Sequence, residues 1–151
     1  MATTNDCQEA LHALIVSWFA GAAAKYTVPI AAGNIKDYST TPDDSSASPN
    51  WCIIRVLSTR PTSEVFDHTD LPARLVIFLG SRLAEDETSK EAAERWINDA
   101  EEMLVEQLHE IGPTANWYEV QIVGSPRRDV YRFFHGKYRT SDIVIEIDKI
   151  T

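Results

Sequence analysis

The sequence is poor in cysteine and lacks the short motifs that mark common enzyme and cofactor sites. Its two cysteines, Cys7 and Cys52, have neither a CxxC partner nor a histidine at ligand spacing. This argues against metal binding and redox chemistry, and it predicts two reduced, partly buried thiols of the kind found in cytosolic proteins. A glycine-rich dinucleotide motif, a P-loop and a GxSxG nucleophile motif are also missing. We therefore expect no catalytic, cofactor-binding or metal-binding residues, and we expect that the protein is not an enzyme.

The four histidines are scattered, and only one lies between acids. In DHTD, residues 67–70, a histidine is flanked by carboxylates, which would suit a metal site or a general base oriented by an acid. No second histidine or cysteine stands at ligand spacing. A polar turn between strands is the favoured interpretation.

The chain also lacks an overall basic character and an apolar run long enough for a membrane. It has 23 acidic and 14 basic residues, for a formal net charge of −9. A general nucleic-acid binder needs a basic footprint, so that class is disfavoured, although DNA could still slide past such a protein without sticking. The start MATTNDCQEA has no basic segment, and His12 and Ser17 interrupt the apolar stretch that follows. This predicts neither a signal peptide nor a membrane span.

Helical periodicity is the clearest pattern that the sequence does contain. Asp6 is a candidate N-cap with Glu9 three residues later, and an apolar face follows: Leu11, Leu14, Ile15, Trp18 and Phe19. A second helix is predicted to begin at a capping box of Thr88 and Glu91 and to end at Gly112–Pro113, with Gly112 as its C′ residue. Its apolar stripe runs from Ala92 to Ile111. Its outer face is acidic: Glu94, Asp99, Glu101, Glu102, Glu106 and Glu110.

The remaining segments read as strands and one long loop. WCIIRVLS (51–58) and ARLVIFLGS (73–81) are strong strand candidates, SEVFD (63–67) is a weaker one, and further strands are expected around 116–123, 129–134 and 141–149. The run at 73–81 is apolar on both faces, as in a central strand covered on each side. The order helix, strands, helix, strands predicts a single α+β domain of residues 1–151, with a mostly antiparallel sheet packed against two amphipathic helices.

Residues 37–50, DYSTTPDDSSASPN, are predicted to form a flexible loop. The segment has two prolines, many hydroxyl groups and almost nothing to bury, so ordering it alone would not offset the entropy lost. A loop of this length within one domain is usually functional or mobile.

The strongest asymmetry of the chain is the basic, aromatic segment SPRRDVYRFFHGKYR, residues 125–139. It holds five of the fourteen Lys and Arg residues, and a turn at His135–Gly136 would fold it into a hairpin. Such a segment can bind single-stranded nucleic acid, can form a protein interface, or can simply be a hairpin with a solvated basic face. On an acidic chain we favour an interface between copies, opposite carboxylates such as those on the helix from Glu91 to Glu110. The candidate interface residues are Arg127, Arg128, Tyr131, Arg132, Phe134, Lys137 and Arg139.

The layout of these elements resembles the tail terminator, or tail completion, proteins of long-tailed bacteriophages. In that family an N-terminal amphipathic helix precedes a group of strands, a second helix and C-terminal strands. The matching segments here are LHALIVSWF, WCIIRVL with ARLVIFLG, EAAERWINDAEEMLVEQLHEIG and DVYRFFHGKYRTSDIVIEID. The family has no signature motif to match residue by residue, and the loop 37–50 departs from its layout.

The resemblance implies a structural virion protein of the phage tail or neck, assembled in the host cytoplasm. Such a protein forms a ring, typically of six copies, that caps the tail tube and joins it to the head-side connector. DNA would pass through the ring without specific binding, and no cofactor or membrane is involved. Two alternatives stay open: another neck or connector protein of the same virion, and a small soluble enzyme or ligand-binding domain.

Overall fold

Apart from a short strand at Ile35–Asp37 that the sequence does not predict, the described helices and strands follow one another in the predicted order. The computed structural model describes residues 2–22, 25–38, 49–57, 72–83, 87–133 and 136–150. A short 3₁₀ turn, Ala32–Asn34, precedes the first strand. The helices and strands are α1 (Thr4–Gly21), β1 (Ile35–Asp37), β2 (Asn50–Val56), β3 (Ala73–Leu83), α2 (Glu87–Glu110), β4 (Trp117–Ile122), β5 (Arg127–Phe133) and β6 (Gly136–Lys149).

The six strands form one mixed sheet in the order β1-β2-β3-β6-β4, with β5 also paired to β6. Among the strand pairs that the structure describes, only β1–β2 is parallel. Strand β6 is long enough to carry two partners on one edge: β5 lies beside residues 136–142 and β4 beside residues 145–149. Its other edge is covered by β3 along almost its whole length. The predicted α+β class, with a mostly antiparallel sheet and two helices, is confirmed.

Both helices pack on the same face of the sheet and bury the main core there. The predicted stripe of α1 supplies Leu11, Ile15 and Phe19, whereas Leu14 and Trp18 lie at the edge of this core. The Phe19 and Trp96 rings stack across the two helices with centroids 6.2 Å apart. Alternate residues of the strands complete the core because successive side chains point to opposite faces of a sheet: Cys52, Ile54, Leu75, Ile77, Leu79, Ile143, Ile145 and Ile147.

Helix α1 is capped three residues earlier than the sequence pattern predicts. Thr3 is the N-cap, its hydroxyl accepts a hydrogen bond from the Asp6 N–H at 3.1 Å, and the Asp6 carboxylate accepts from the Thr3 N–H at 2.9 Å. The predicted N-cap, Asp6, is therefore the third helical residue, and Glu9 has no part in the box. Asp6 fulfils the role that Glu usually plays at this position because its shorter side chain still reaches the N-cap amide.

Replacing Thr3 with alanine should lower stability by about 1 kcal/mol, because the Asp6 amide loses its acceptor. In a domain of this size the melting temperature should fall by about 2–4 °C. Thr3→Ser keeps the hydroxyl and is the matched control, which should melt close to the wild type. Thermal unfolding followed by circular dichroism measures both variants, and an unchanged melting temperature for Thr3→Ala would show that the cap contributes nothing.

The predicted start of α2 also needs correction. The helix begins at Glu87, so Thr88 lies inside it and cannot be the N-cap, and the Glu91 carboxylate instead accepts a hydrogen bond from Arg95 at 2.8 Å. The helix ends at Glu110, so Gly112 is its C′ residue as predicted, although Gly112 does not adopt the left-handed conformation common at that position. Its carbonyl accepts a hydrogen bond from the buried Trp117 indole at 3.2 Å.

Several predictions fall on residues outside the described ranges. These are the weak strand candidate 63–67, the DHTD turn at 67–70 and residues 39–48 of the loop 37–50. They remain predictions. The predicted bounds of that loop are wrong at both ends: Asp37 is the last residue of β1 and Asn50 is the first of β2, because both pair within the sheet, Asp37 with Ile54 and Asn50 with Ser81.

Candidate functional site

The basic, aromatic segment forms the predicted hairpin, but it is more regular than the sequence indicates. Strands β5 and β6 pair antiparallel from Arg127 opposite Asp142 to Phe133 opposite Gly136. Residues 136–140, which precede the strand predicted around 141–149, form the first part of strand β6. Because side chains alternate along both strands, the hairpin presents two chemically different faces.

The face directed toward α2 is charged, and its central arginine is tied to the helix. Arg128 Nε donates to Glu101 Oε2 at 2.6 Å, and Arg128 Nη1 donates to Asn98 Oδ1 at 2.7 Å. Ser141, directly opposite Arg128 on β6, donates its hydroxyl proton to the same Glu101 oxygen at 2.5 Å. We call these four residues the Glu101 network. It joins β5, β6 and α2 through charge-assisted hydrogen bonds, which are stronger than bonds between neutral groups.

The Glu101 carboxylate is held in its charged form by this network. Burial alone would raise its pKa, but the hydrogen bonds from Arg128 and Ser141 and the Arg128 charge outweigh burial, so the pKa of Glu101 is lowered. Two turns closer to the helix start, Arg139 Nε lies 2.8 Å from Glu94 Oε1 in a second ion pair between β6 and α2. Two ion pairs therefore hold the hairpin against one flank of α2.

These contacts change the role expected for two of the predicted interface residues. The carboxylates of α2 were expected to meet the hairpin arginines across a subunit boundary. Arg128 and Arg139 meet Glu101 and Glu94 within one chain instead. The side chains of these two arginines are only 28% and 25% exposed. Their first function is to fix the hairpin onto the fold.

The opposite face of the hairpin carries aromatic rings that cover the helix-free side of the sheet. Trp51 of β2 is at the centre, with its ring centroid 5.7 Å from Phe133 and 5.5 Å from Tyr138. Phe78 of β3 lies 4.9 Å from Trp51 and 5.6 Å from Tyr131. In a flat sheet β5 and β2 are about three strand spacings of 4.8 Å apart. The contacts therefore require this end of the sheet to curl and the rings to lean together.

One glycine makes room for the centre of this aromatic cluster. Gly80 lies directly opposite Trp51 in the β2–β3 register. A Cβ atom at position 80 would lie 2.1 Å from Trp51 Cζ2, so the indole ring rests on the bare backbone of β3. The sequence run LVIFLGS therefore contains its glycine for packing, not for a turn.

Charged groups border the aromatic cluster. The Arg55 guanidinium lies over the Phe78 ring at 4.9 Å from the centroid, within the range of a cation–π contact. Asp142 lies on the same face, opposite Arg127 on β5. Burial raises the pKa of Asp142, and the charges of Arg55 and Arg127 oppose this only in part. Tyr131 is 41% exposed, so the cluster presents part of an aromatic ring to its surroundings.

The end of the hairpin presents two cations side by side. Arg132 and Lys137 are direct cross-strand partners, and both stand on the same side of the hairpin as Arg128. Neither has an ion-pair partner within the part of the chain that the structure describes. Phe134, the remaining predicted interface residue, lies outside the described residues.

A cleft of about 680 Å³ lies on the other side of α2, between the first half of the helix and the ends of β2 and β3. Its polar wall is already hydrogen-bonded: Ser81 donates to Asn50 Oδ1 at 2.6 Å, and Asn50 and Trp96 both donate to the Pro29 carbonyl at 2.9 Å. The remaining lining is mixed, with apolar and charged side chains: Thr27, Pro49, Arg82, Ser89, Ala92, Ala93, Arg95, Asn98 and Asp99.

Both cysteines are buried as free thiols, Cys7 in α1 and Cys52 in β2. Burial raises the pKa of each thiol, which disfavours the reactive thiolate. The described residues contain no group of three or more His, Cys, Asp or Glu that could hold a metal ion. Neither α1 nor α2 is long and apolar enough to cross a membrane.

No protein-family model and no curated protein matches this chain. The candidate site therefore depends on its own geometry. The structure brings Arg127, Arg128, Tyr131, Arg132, Lys137 and Arg139 into one hairpin, as predicted. Sequence reasoning missed Trp51 and Phe78, which complete the aromatic face, and did not assign Asn98 and Ser141 to the charged network. The only sequence signal for the first pair was the two-faced apolar pattern of the strands.

Proposed function

We propose that the protein is a structural subunit of a phage tail or neck, which assembles into a ring that caps the tail tube and faces the head-side connector. The observation that carries the proposal is the order α1, strands, α2, strands, closed by a basic, aromatic hairpin on an acidic chain. This is the layout on which the resemblance to tail terminator proteins depends. The subunit would be present in the host cytoplasm during assembly and would become part of the virion.

The surface chemistry is consistent with contacts to other proteins. It is also consistent with a ring through which DNA passes without being bound. The hairpin offers arginine and exposed tyrosine, residue types that are enriched in protein interfaces. The net charge of −9 would weaken any grip on passing phosphates, because strong DNA binding needs neutralising cations. The same features suit another neck or connector protein of the virion, which is the nearest alternative.

The cleft beside Trp96 favours a second candidate, a small-molecule-binding domain. Its volume of about 680 Å³ is in the range of ligand pockets, and Arg82, Arg95 and Asp99 could orient a polar ligand. The side chains of Asn50, Ser81 and Trp96 in this cleft are already hydrogen-bonded within the fold, so the ring remains the preferred function. A thermal-shift screen with small polar metabolites distinguishes the two, since the ring function predicts no stabilisation by any of them.

Native mass spectrometry and sedimentation over a concentration series test the proposal directly. The expected result is a closed homo-oligomer of defined copy number, about six by the resemblance, formed without added metal or nucleotide. The purified tail-tube protein of the same genome should promote this assembly if the free subunit is monomeric. A chain that stays monomeric both alone and with the tube protein contradicts the proposed ring.

A further inference from the structure

Two separate surfaces of the subunit carry clusters of like charge, most of whose members have no ion-pair partner among the described residues. On the hairpin, Arg132 and Lys137 form what we call the cationic tip. On α2, the flank turned away from the hairpin carries carboxylates at helical spacing, Asp99, Glu102, Glu106 and Glu110, which we call the acidic stripe. Of these four, only Glu106 has an ion-pair partner among the described residues, the Lys25 ammonium at 3.0 Å.

The two cations of the tip repel each other in the isolated subunit. Directly opposed side chains in an antiparallel pair stand about 5 Å apart, and like charges at this distance oppose pairing of the strands. The neighbouring cations Arg128 and Arg139 already have Glu101 and Glu94. An external anionic partner would relieve the repulsion between these two cations, which no ion pair among the described residues offsets.

The acidic stripe matches the tip in both charge and spacing. Asp99 and Glu102 are three residues apart on α2, which places their Cβ atoms about 5–6 Å apart. The Cβ atoms of the two cations and those of the two carboxylates therefore have similar spacings, so the residues can pair one to one. The hairpin of the same chain lies on the other flank of the helix, where Glu94 and Glu101 bind it, so the stripe is directed away from it.

We infer that the cationic tip of one subunit binds the acidic stripe of a second copy, through Arg132 and Lys137 against Asp99 and Glu102. The contact joins two different surfaces, so it is heterologous and repeats head to tail until the rotation closes a ring. The inference rests on the proposed ring and adds to it the surfaces that form it. Complementary charges of this kind set the register of subunits and accelerate their association.

A charge-exchange experiment on the full chain tests the pairing. The tip variant carries Arg132→Glu and Lys137→Glu, and the helix variant carries Asp99→Lys and Glu102→Lys. Each variant alone places like charges against each other, so its self-association should weaken by at least about a hundredfold. A mixture of the two restores opposite charges at every contact. It should form rings in which the variants alternate, with equal numbers of each by native mass spectrometry.

Arg127→Glu is the matched control, because Arg127 is exposed on the same strand but on its other face. It changes the charge as Arg132→Glu does, and it should leave assembly unchanged. Circular dichroism melting of every variant confirms folding before assembly is measured. Self-assembly of the tip variant at wild-type affinity would overturn the inference, and so would two folded variants that fail to assemble when mixed.

The outcomes separate this inference from the proposed function. Rings that depend on the tip and the stripe but never bind tail tubes support the inference and contradict the tail function. Rings that form regardless of these four residues leave the tail function standing and overturn the inference. Loss of a salt-dependent DNA affinity in the tip variant, with assembly intact, would assign the tip to nucleic acid and also overturn it.

Discussion

Gly80→Ala is expected to destabilise the protein by about 3 kcal/mol or more, although it adds a single methyl group. The added Cβ would stand 2.1 Å from Trp51 Cζ2, and Trp51 is itself confined by the Phe78, Phe133 and Tyr138 rings. A core that is already filled responds to extra atoms with off-rotamer side chains and backbone shifts. In a domain of this size the melting temperature should fall by about 6–12 °C, measured by calorimetry.

Gly33→Ala is the control, because a Cβ at that position meets nothing within 4 Å. It should change the free energy of unfolding by less than about 0.5 kcal/mol. The double variant Gly80→Ala with Trp51→Leu places a smaller side chain opposite the added methyl group. Its loss of unfolding free energy should be less than the sum of the losses in the two single variants. Full additivity, or a Gly80→Ala protein that melts like the wild type, would show that Trp51 does not rest on this backbone.

Glu101→Gln should cost about 2 kcal/mol at neutral pH, because it removes the charge that Arg128 and Ser141 share. Chemical denaturation measures the loss, and hydrogen exchange should show faster opening of β5. Asp148→Asn is the control: Asp148 is exposed and has no ion-pair partner among the described residues, so the change should be nearly neutral. Equal effects of the two changes would contradict the network.

The difference in stability between wild type and Glu101→Gln should depend on pH, and the pKa of Glu101 gives the direction. The folded-state pKa of Glu101 is lowered below its ordinary value of 4.5, so the unfolded chain binds a proton more readily than the native one. The stabilisation is complete above about pH 4.5 and is lost as the pH falls through the lower, folded-state pKa. The difference in stability between wild type and Glu101→Gln should therefore be constant near neutrality and shrink in acid.

Features of this fold that follow from periodic patterns along a short stretch of sequence could be predicted. The apolar stripe of α1 was recognisable because Leu11, Ile15 and Phe19 repeat at helical spacing. The cap was misplaced because two cap-forming residues, Thr3 and Asp6, stand three apart, and the pattern alone favoured the second with Glu9. The beginning of β5 was missed because Arg127 and Arg128 have no strand propensity of their own. Their conformation is imposed by pairing with β6.

The charge partners of the hairpin could not be predicted, because they are distant along the chain. Arg128 and Glu101 are 27 residues apart, and Trp51 meets Phe133 across two intervening strands. Composition indicated that basic and acidic surfaces would meet. The folded structure shows that Arg128 and Arg139 meet carboxylates of their own chain. Reversing Arg128 therefore tests folding first, whereas reversing Arg132 and Lys137 tests assembly.

Electron microscopy of tail tubes mixed with the purified protein tests the proposed function most directly. The tubes are assembled from the tail-tube protein encoded in the same genome, and the protein is marked with a gold label at its C-terminus. We predict a ring of label at one end of each tube and tubes that stop growing once they carry it. Label spread along the tubes, or missing from tubes that keep growing, would contradict a tail-capping role.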